Sequence, residues 1–353
     1  MNNQGAKIKK QAMGVIFLII LIVITFFFYL DGYSYQEILS SLNNINYLYL
    51  LAGLGMMVLF VICEAINIYM IFAVFGQKIP FGRCIEYSCI GFYFSAITPS
   101  ASGGQPAQLY YMNRDKVQLS ISSIAIFYTV FVYQIAMILM GIIMFLFRQS
   151  VAIIFISKVK YLFLFGVIVN TSVIILLFLL MFSKKLVPSI VNFITKVAMK
   201  IRFFKKVDSI KDKIDSSVVL YHEKAMVLKE HPVLFFKVLF VTMIQMLAAS
   251  LVPSFVSCGM GNPARYIPDL ITCQSLLTIS VSAIPLPGAE GVSQGGFLQT
   301  FDMFFRQNTL VSAMLINRIL SFYLPLLICF IIYIYTHIRI VRQFDRGDVI
   351  EGK

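Results

Sequence analysis

The sequence predicts an all-α integral membrane protein, a polytopic helical bundle with two oppositely oriented re-entrant hairpins in an inverted repeat. Of its 353 residues, 59% are hydrophobic and only 13% are charged, whereas soluble domains average about 45–50% apolar and about 25% charged residues. The apolar residues also form long continuous runs, and a membrane-spanning helix needs about 20 of them. A soluble globule, a coiled coil and a disordered chain are therefore excluded.

Six runs are long enough to span a bilayer, and we expect a transmembrane helix in each. They are Ala12 to Leu30, Tyr47 to Phe75, Leu119 to Phe147, Tyr161 to Phe182, Val233 to Val256 and Leu310 to Thr336. The first run is longer than the apolar core of a signal peptide, and no small-residue cleavage site follows it. It is therefore predicted to remain as a span.

The positions of the basic residues orient these spans. Lys7, Lys9 and Lys10 precede the first span, and basic segments resist translocation, so the N-terminus is predicted to be cytoplasmic. Alternation of the spans then places most of the 29 Lys and Arg residues inside the cell, together with the C-terminus. Because topology explains the net charge of +13, no nucleic-acid partner is expected, and the predicted location is the cell membrane.

Two further apolar stretches are interrupted by clusters of Gly and Pro, which break helices. The first lies near 84–117 and the second near 266–306. Basic residues inside the cell flank the first and basic residues outside flank the second, so each stretch is predicted to enter the membrane and return, from opposite faces. Both contain the phrase SAI followed by a proline, Pro99 in the first and Pro285 in the second. Each has a span on either side, which predicts an inverted-topology repeat.

The tips of these two hairpins are the predicted site of function. Unwound backbone cannot face lipid, since each unpaired N–H or C=O costs several kcal/mol there, so the tips must line a polar cavity or be packed in protein. Helix ends at such breaks also present a partial charge to a headgroup or an ion. The alternative is that the Gly and Pro residues only permit close helix packing. The candidate substrate-binding or translocation residues are Thr98, Pro99, Ser100, Ser102, Gly103, Gly104, Gln105 and Gln108 on the first tip, and Pro285, Pro287, Gly288, Glu290, Gly291 and Gln294 on the second.

Two ionisable residues within the spans complete the candidate site. Glu64 lies near the middle of its span, and Arg318 lies in the outer part of the last span. Charges at such depth are rare and usually face a partner in the protein interior. We therefore expect Glu290 or Glu64 to hold Arg318 between substrates, and Arg318 to bind a lipid phosphate. The alternatives are a neutral or hydroxyl-capped Glu64 and an Arg318 that snorkels to the outer interface.

The chain is expected to divide into five parts. They are an N-terminal span with an external loop (1–46), a first repeat with an additional span (47–182), a basic linker (183–232), a second repeat (233–336) and a cytoplasmic tail (337–353). Apolar residues in the linker recur every three or four positions among Lys and Arg, which is typical of an amphipathic helix. Such a helix would bind anionic lipids of the inner leaflet, and a solvated linker is the equal alternative.

No catalytic or metal-binding pattern is present in the sequence. The CxxC, HExxH and GxSxG motifs and phosphate-binding Gly-rich loops are absent, and the three His residues lie at polar margins. Five of the six Cys residues lie in or beside apolar runs, and Cys258 falls in an expected external loop, so no disulfide framework is predicted. We expect no cofactor, no metal and no catalytic residue.

The broken segments ITPSASGGQPAQLYYM and SAIPLPGAEGVSQGGF, with their spacing and the basic linker between them, resemble the lysylphosphatidylglycerol synthase transmembrane family. That family includes the membrane half of the bacterial multiple peptide resistance factor, and the resemblance covers roughly Tyr47 to Thr336. The first segment matches the family pattern TPSxxGGxP. The second reads PGAEGVSQ where the family has a run similar to PGGxGxxE, so Gln294 stands at the position of the acid and Glu290 is the other candidate equivalent.

The resemblance implies a lipid flippase or lipid-handling transporter of the bacterial plasma membrane, with an anionic or aminoacylated phospholipid as substrate. Two-domain relatives add a soluble C-terminal domain that transfers lysine from lysyl-tRNA to phosphatidylglycerol. We expect that domain to be absent here, because the sequence ends at Lys353. The expected protein partner is a second copy of the chain or a separate synthase. Two alternatives stay open: a phosphatidylglycerol lysyltransferase that acts in lipid aminoacylation and cationic peptide resistance, and a secondary transporter of a small solute or ion.

Overall fold

The protein is all-α, as the sequence predicts. A computed structural model describes residues 45–182, 226–228 and 230–345, and within these ranges the regular structure is helical, without strands. The predicted span at 12–30, most of the linker at 183–232 and the tail from 346 onward lie outside the described residues. The helices are α1 (Tyr47–Val74), α2 (Phe81–Ala96), α3 (Gly104–Arg114), α4 (Leu119–Phe147), α5 (Gln149–Lys158), α6 (Lys160–Phe182), α7 (Pro232–Gly259), α8 (Ile267–Val281), α9 (Val292–Thr300), α10 (Gln307–Arg318) and α11 (Leu324–Asp345).

Within the described residues, five helical stretches are long and apolar enough to cross a membrane. Four are α1, α4, α6 and α7, and the fifth combines α10 and α11 into one helix from Thr309 to Arg342, past the predicted end at Thr336. Their outer surfaces are apolar; in α6 only 17% of the most apolar stretch is buried within the protein. Exposed apolar area of this extent needs a lipid environment. The five spans predicted in this part of the chain are confirmed, and the protein is a multi-pass membrane protein.

Helix α5 lies between two predicted spans, in a segment that the sequence analysis treats as a connecting loop. Its 10 residues are too few to cross a bilayer, so a rule based on span length passes over them. Ala152 and Phe155 are fully buried, and they belong to the same apolar cluster as Cys273 and Leu277 of α8. The helix therefore packs against the second of the two hairpins.

The first spans of the two predicted repeats, α1 and α7, pack against each other. At one end the N–H of Asn46 donates to the carbonyl of Gly259 (3.0 Å), and further along Asn67 Nδ2 donates to Thr242 Oγ1 (2.9 Å). Residue numbers rise along α1 as they fall along α7, so the two helices are antiparallel. Opposite directions for corresponding spans are what an inverted repeat requires.

Helices α2 and α3 form one helical hairpin, and α8 and α9 form another. In the first hairpin Gln108 Nε2 donates to the carbonyl of Tyr87 (3.1 Å), which joins the middle of α3 to α2. The turn at the tip is Pro99–Ala101 in the first hairpin and Pro287–Ala289 in the second. These two turns contact each other, so the tips of the hairpins meet inside the helical bundle.

The bases of the two hairpins lie at opposite ends of helix α4. Asp115 closes the first hairpin just before α4 begins. After the other end of α4, Arg148 Nε lies 3.2 Å from Oδ1 of Asp269 at the base of the second hairpin, where Lys158 also pairs with Asp302. With 29 residues and about 1.5 Å per residue, α4 is about 44 Å long. The hairpins therefore approach each other from opposite sides, and their depth in a bilayer stays a prediction.

The base of the first hairpin carries a cluster of charges that includes the last helix. Arg339 Nη2 lies 2.8 Å from Glu86 Oε2 and 3.3 Å from Asp115 Oδ2, and Arg83 Nη1 lies 3.4 Å from Glu86 Oε2. Burial raises the pKa of the Asp115 carboxyl, while the hydrogen bond from Tyr87 and the charge of Arg83 act in the opposite direction. Since Arg339 belongs to α11, this cluster ties the first hairpin to the second half of the chain.

Candidate functional site

Glu290 and Arg318 form an ion pair next to the tip of the second hairpin. Arg318 Nη2 lies 2.5 Å and Nε 3.2 Å from Glu290 Oε2. The Glu290 side chain is fully buried and the Arg318 side chain is 13% exposed. Buried charges are tolerated only when they are paired and hydrogen-bonded, so the pair fixes the tip against α10. Of the two acids predicted to hold Arg318, the structure places Glu290 in that position.

The second oxygen of the Glu290 carboxylate is also occupied. Tyr323 donates its hydroxyl to Oε1 (2.6 Å), and Gln294 Nε2 donates to the same oxygen. Gln294 Oε1 in turn accepts from the N–H of Gly291 (2.8 Å) and from the hydroxyl of Ser293 (2.9 Å). The carboxylate therefore has partners on both oxygens, and Gln294 links it to the start of α9.

A π-helical turn at Ile319–Tyr323 brings Arg318 and Tyr323 onto the face that contacts Glu290. Hydrogen bonds in a π-helix join residues five apart, which places these two side chains one above the other; such turns within α-helices are frequent at functional sites. The guanidinium carbon of Arg318 also lies 4.0 Å from the centre of the Phe322 ring, in a cation–π contact. The irregular turn thus supplies Tyr323 to the Glu290 carboxylate and Phe322 to the Arg318 guanidinium.

Gly288 permits the close approach of the tip to Arg318. Its φ is +60°, a conformation that glycine adopts without steric cost. Its carbonyl accepts a hydrogen bond from Arg318 Nη2 (2.6 Å). A Cβ at this position would lie 2.3 Å from Phe322 Cζ and 3.0 Å from Arg318 Nη2, so a larger residue would require either these side chains or the tip to move.

A pocket of about 110 Å³ lies beside the ion pair. Apolar side chains of α8, α9 and α10 form part of its wall. Ligand sites typically combine such walls with a few convergent polar groups. The polar groups here are Arg318, three amides and two hydroxyls, from Gln274, Gln294, Asn317, Ser293 and Ser321.

The first tip is closed by Thr98. Its hydroxyl donates to the carbonyl of Phe94 (2.6 Å) and accepts from the N–H of Gly103 (2.8 Å). Gly104 packs so closely on α2 that a Cβ there would lie 2.7 Å from the carbonyl oxygen of Gly91. Gly103 and Gly104 therefore permit close helix packing, which is the alternative interpretation given in the sequence analysis.

Glu64 of α1 contacts the first hairpin. Gln108 Nε2 donates to Glu64 Oε1 (2.9 Å) as well as to the carbonyl of Tyr87 (3.1 Å). Within residues 45–182 and 230–345, no ion pair joins Glu64 to Arg318 or to another basic side chain. The predicted site residues therefore form two groups, an acid–amide pair at the first hairpin and an acid–arginine pair at the second.

The other predicted residues lie at or near the contact between the two turns. Their exposure differs from residue to residue. Pro287 is buried, Gln105 and Gly291 are half-buried, and Pro99, Ser100, Ser102 and Pro285 are exposed.

The two turns, Pro99–Ala101 and Pro287–Ala289, share a backbone conformation, and so do the residues that precede them. The residue before the proline is extended in both, with φ of −119° and −116°, and the residue after it has a positive φ of 52° and 60°. Pro99 therefore corresponds to Pro287. The shared SAI phrase pairs it instead with Pro285, because the second hairpin has one additional residue before its turn.

Sequence reasoning missed four polar residues of the second site. Tyr323 holds the Glu290 carboxylate, and Gln274, Asn317 and Ser321 line the pocket. Each is a polar side chain within an apolar segment, and Asn317 directly precedes Arg318. Polar residues in apolar segments usually face the protein interior, and that rule applied to uncharged polar residues as well as to charges would have found them.

Long apolar helices, two hairpins whose tips meet and a buried ion pair at one tip define a polytopic membrane protein with a polar site inside its helical bundle. The family described as Lysylphosphatidylglycerol synthase TM region matches residues 13–329, which is most of the chain. The chain belongs to this family, as its broken segments indicate, and membership points to a lipid-related function in the membrane. A comparison with curated proteins found no match.

Proposed function

We propose that the chain moves phospholipids between the leaflets of the membrane, as a flippase or lipid-handling transporter, with the headgroup passing where the hairpin tips meet. The observation that carries the proposal is the buried Glu290–Arg318 pair beside a polar pocket. A headgroup that crosses hydrocarbon without polar partners meets a large free-energy barrier. Polar and charged groups inside the bundle lower that barrier while the acyl chains stay in lipid.

Arg318 is the proposed contact for the lipid phosphate. Its Nε and Nη2 donate to Glu290 and Gly288, and its side chain lines the pocket. A phosphate group in the pocket therefore lies within reach of the guanidinium. The fork of a guanidinium binds phosphate most strongly through two nitrogens, so tighter binding requires Glu290 to release Nη2.

In the proposed transport step, Arg318 exchanges one anionic partner for another, which keeps the free-energy cost of the step low. Arg318 passes from the carboxylate of Glu290 to the lipid phosphate and back, so its charge always has a partner. An arginine left alone at this depth would be strongly disfavoured. Tyr323 and Gln294 stay on the other carboxylate oxygen and hold Glu290 in place during the exchange.

Passage of a headgroup also requires the two tips to separate. Each hairpin is tied at its base to the other half of the chain, through Arg339 for the first and Arg148 for the second. Movement of one repeat against the other about a central site is the usual mechanism of transporters with inverted repeats. We propose that the tips open in the same way while the bases act as hinges.

Reconstitution into liposomes tests the proposal. Vesicles receive phosphatidylglycerol that carries a fluorophore on an acyl chain, and an impermeant reductant then bleaches the label in the outer leaflet. Protein-free vesicles keep the label of the inner leaflet, and we expect the protein to expose it to the reductant. If no lipid, anionic or neutral, is accelerated, the proposal fails and transport of a small solute becomes the better explanation of the pocket.

Variants of Arg318 tie the activity to the site. Arg318→Ala should lose nearly all transport and Arg318→Lys much of it, because lysine offers a point charge and no fork. Anionic lipids should be affected more than neutral lipids. Arg265→Ala is the matched control, since Arg265 is an exposed arginine away from the pocket. Full activity in Arg318→Ala at matched expression contradicts the assigned phosphate contact.

A further inference from the structure

Two residues that line the pocket each carry a buried amide oxygen without a hydrogen-bond partner among the described residues. Gln274 Oε1 and Asn317 Oδ1 are buried, and neither accepts a hydrogen bond from any residue that the structure describes. Asn317 is only 8% exposed, and both residues line the pocket. Folded proteins rarely leave buried polar groups unsatisfied, so each of these oxygens calls for an explanation.

The hydroxyl groups of the pocket add further acceptors. Ser293 donates its hydrogen to Gln294 Oε1 (2.9 Å), and Ser321 donates its hydrogen to the carbonyl of Asn317 (2.7 Å). A hydroxyl has one hydrogen to donate and two lone pairs to accept with. Once the hydrogens are used, both hydroxyls offer acceptor capacity only, and the wall they share with the two amides is rich in acceptors.

Arg318 places a positively charged hydrogen-bond donor on one side of the pocket. Nε and Nη2 of its guanidinium donate to Glu290 and Gly288, and its side chain lines the pocket. The pocket thus combines a cationic donor with several neutral acceptors. This arrangement complements a ligand that is anionic at one end and carries hydrogen-bond donors at the other.

We propose that the pocket selects phospholipids whose headgroup carries O–H or N–H donors beyond the phosphate, and that Asn317 and Gln274 recognise those donors. The inference rests on the proposed function and adds the substrate class. An ethanolamine ammonium or a glycerol hydroxyl supplies the donors that the two amide oxygens lack. A choline group has no donor and leaves both oxygens unpaired.

Headgroup size is a separate property from the number of donors. Ethanolamine has three heavy atoms beyond the phosphate, and choline adds three methyl groups. A lower rate for a choline lipid could therefore reflect size or donors, and the experiment has to separate the two.

A graded series of headgroups separates them. Proteoliposomes of phosphatidylglycerol and phosphatidylcholine receive acyl-chain-labelled phosphatidylethanolamine, its N-methyl and N,N-dimethyl derivatives, or phosphatidylcholine. The headgroup grows by one methyl at each step, but a donor persists until the last. We expect similar rates for the first three lipids and a rate roughly tenfold lower for the choline lipid, as expected for about one lost hydrogen bond.

Variants of the two amides assign the preference to residues. Asn317→Leu removes one acceptor with little change in volume, and we expect it to lower the ratio of the ethanolamine rate to the choline rate. Gln274→Met should reduce the preference in the same direction, and it tests the inference independently if Asn317→Leu does not fold. Asn113→Leu changes an exposed amide outside the pocket and should keep the wild-type preference.

Four results would overturn the inference. Equal wild-type rates for the ethanolamine and choline lipids remove the preference and leave the proposed transport standing. If the transport rate falls evenly from the ethanolamine lipid to the choline lipid, and does so in Asn317→Leu as well, headgroup size explains the preference. If Asn317→Leu and Gln274→Met slow every lipid equally, the two amides have a structural role and do not recognise the headgroup. If the wild type moves no lipid, the inference falls together with the proposed function.

Discussion

Glu290→Gln removes the negative charge of the buried ion pair and keeps the shape of the side chain. In the wild type the hydroxyl of Tyr323 lies 2.6 Å from Glu290 Oε1. The amide oxygen of the glutamine still accepts this hydrogen bond. Arg318 loses its counter-ion, although its contacts with the Gly288 carbonyl and the Phe322 ring remain. The variant therefore isolates the cost of an unpaired guanidinium.

The expected loss of stability follows from the burial of the pair. Removal of one partner of a buried ion pair costs about 3–5 kcal/mol. Because the Arg318 side chain is 13% exposed and keeps some access to solvent, we expect the lower end, about 3 kcal/mol. In a chain of this size 1 kcal/mol lowers the unfolding midpoint by about 2 °C, so we expect a decrease of about 6 °C.

Thermal unfolding of the purified protein in detergent, followed by intrinsic fluorescence at one scan rate, measures the effect. A fixed rate is needed because large membrane proteins often unfold irreversibly. Asp302→Asn is the matched control: it is the same acid-to-amide change in an ion pair whose acid is 48% exposed, where pairs contribute about 0–1 kcal/mol.

A double variant provides the decisive comparison. Glu290→Gln with Arg318→Met replaces both charges by neutral groups, which is often close to neutral for stability, so we expect most of the lost stability to return. If Glu290→Gln unfolds at the wild-type temperature, or if the double variant is no more stable than the single one, the pair does not compensate a buried charge as argued.

Three further predictions address the hairpins. In a variant whose native cysteines are replaced, a cysteine introduced at Gln118 should react with an impermeant reagent from the cytoplasm, and one at Met303 should react from outside. Labelling of both positions from the same face would refute the inverted repeat. Gly104→Ala places a methyl group 2.7 Å from a backbone oxygen and should lower both transport and the unfolding midpoint, whereas Gly55→Ala, with no atom within 4 Å, should change neither. Arg339→Ala leaves the acids at the first base with one cation fewer and should destabilise the protein by about 1.5–3 kcal/mol; an unchanged midpoint would show that this cluster contributes little.

Features that depend on local sequence were predicted well. The apolar runs became α1, α4, α6, α7 and the long helix from Thr309 to Arg342, because the length of an apolar run limits what can cross a bilayer. Clusters of Pro and Gly located the two turns, since these residues end helices within a few positions. Helix α5 was missed because it is apolar but too short for a span.

The sequence by itself therefore determined that this is a multi-pass helical membrane protein with two broken segments and a small set of polar residues near them. Only the tertiary structure decided that Arg318 pairs with Glu290 and that Glu64 contacts Gln108 instead. It also decided that Pro99 matches Pro287 and that Gln274 and Asn317 share a pocket. The physical reason is that hydrophobicity and chain breaks act over neighbouring residues, whereas the partner of a buried polar group is set by the packing of segments distant in the chain, and the sequence carries no separate mark of that choice.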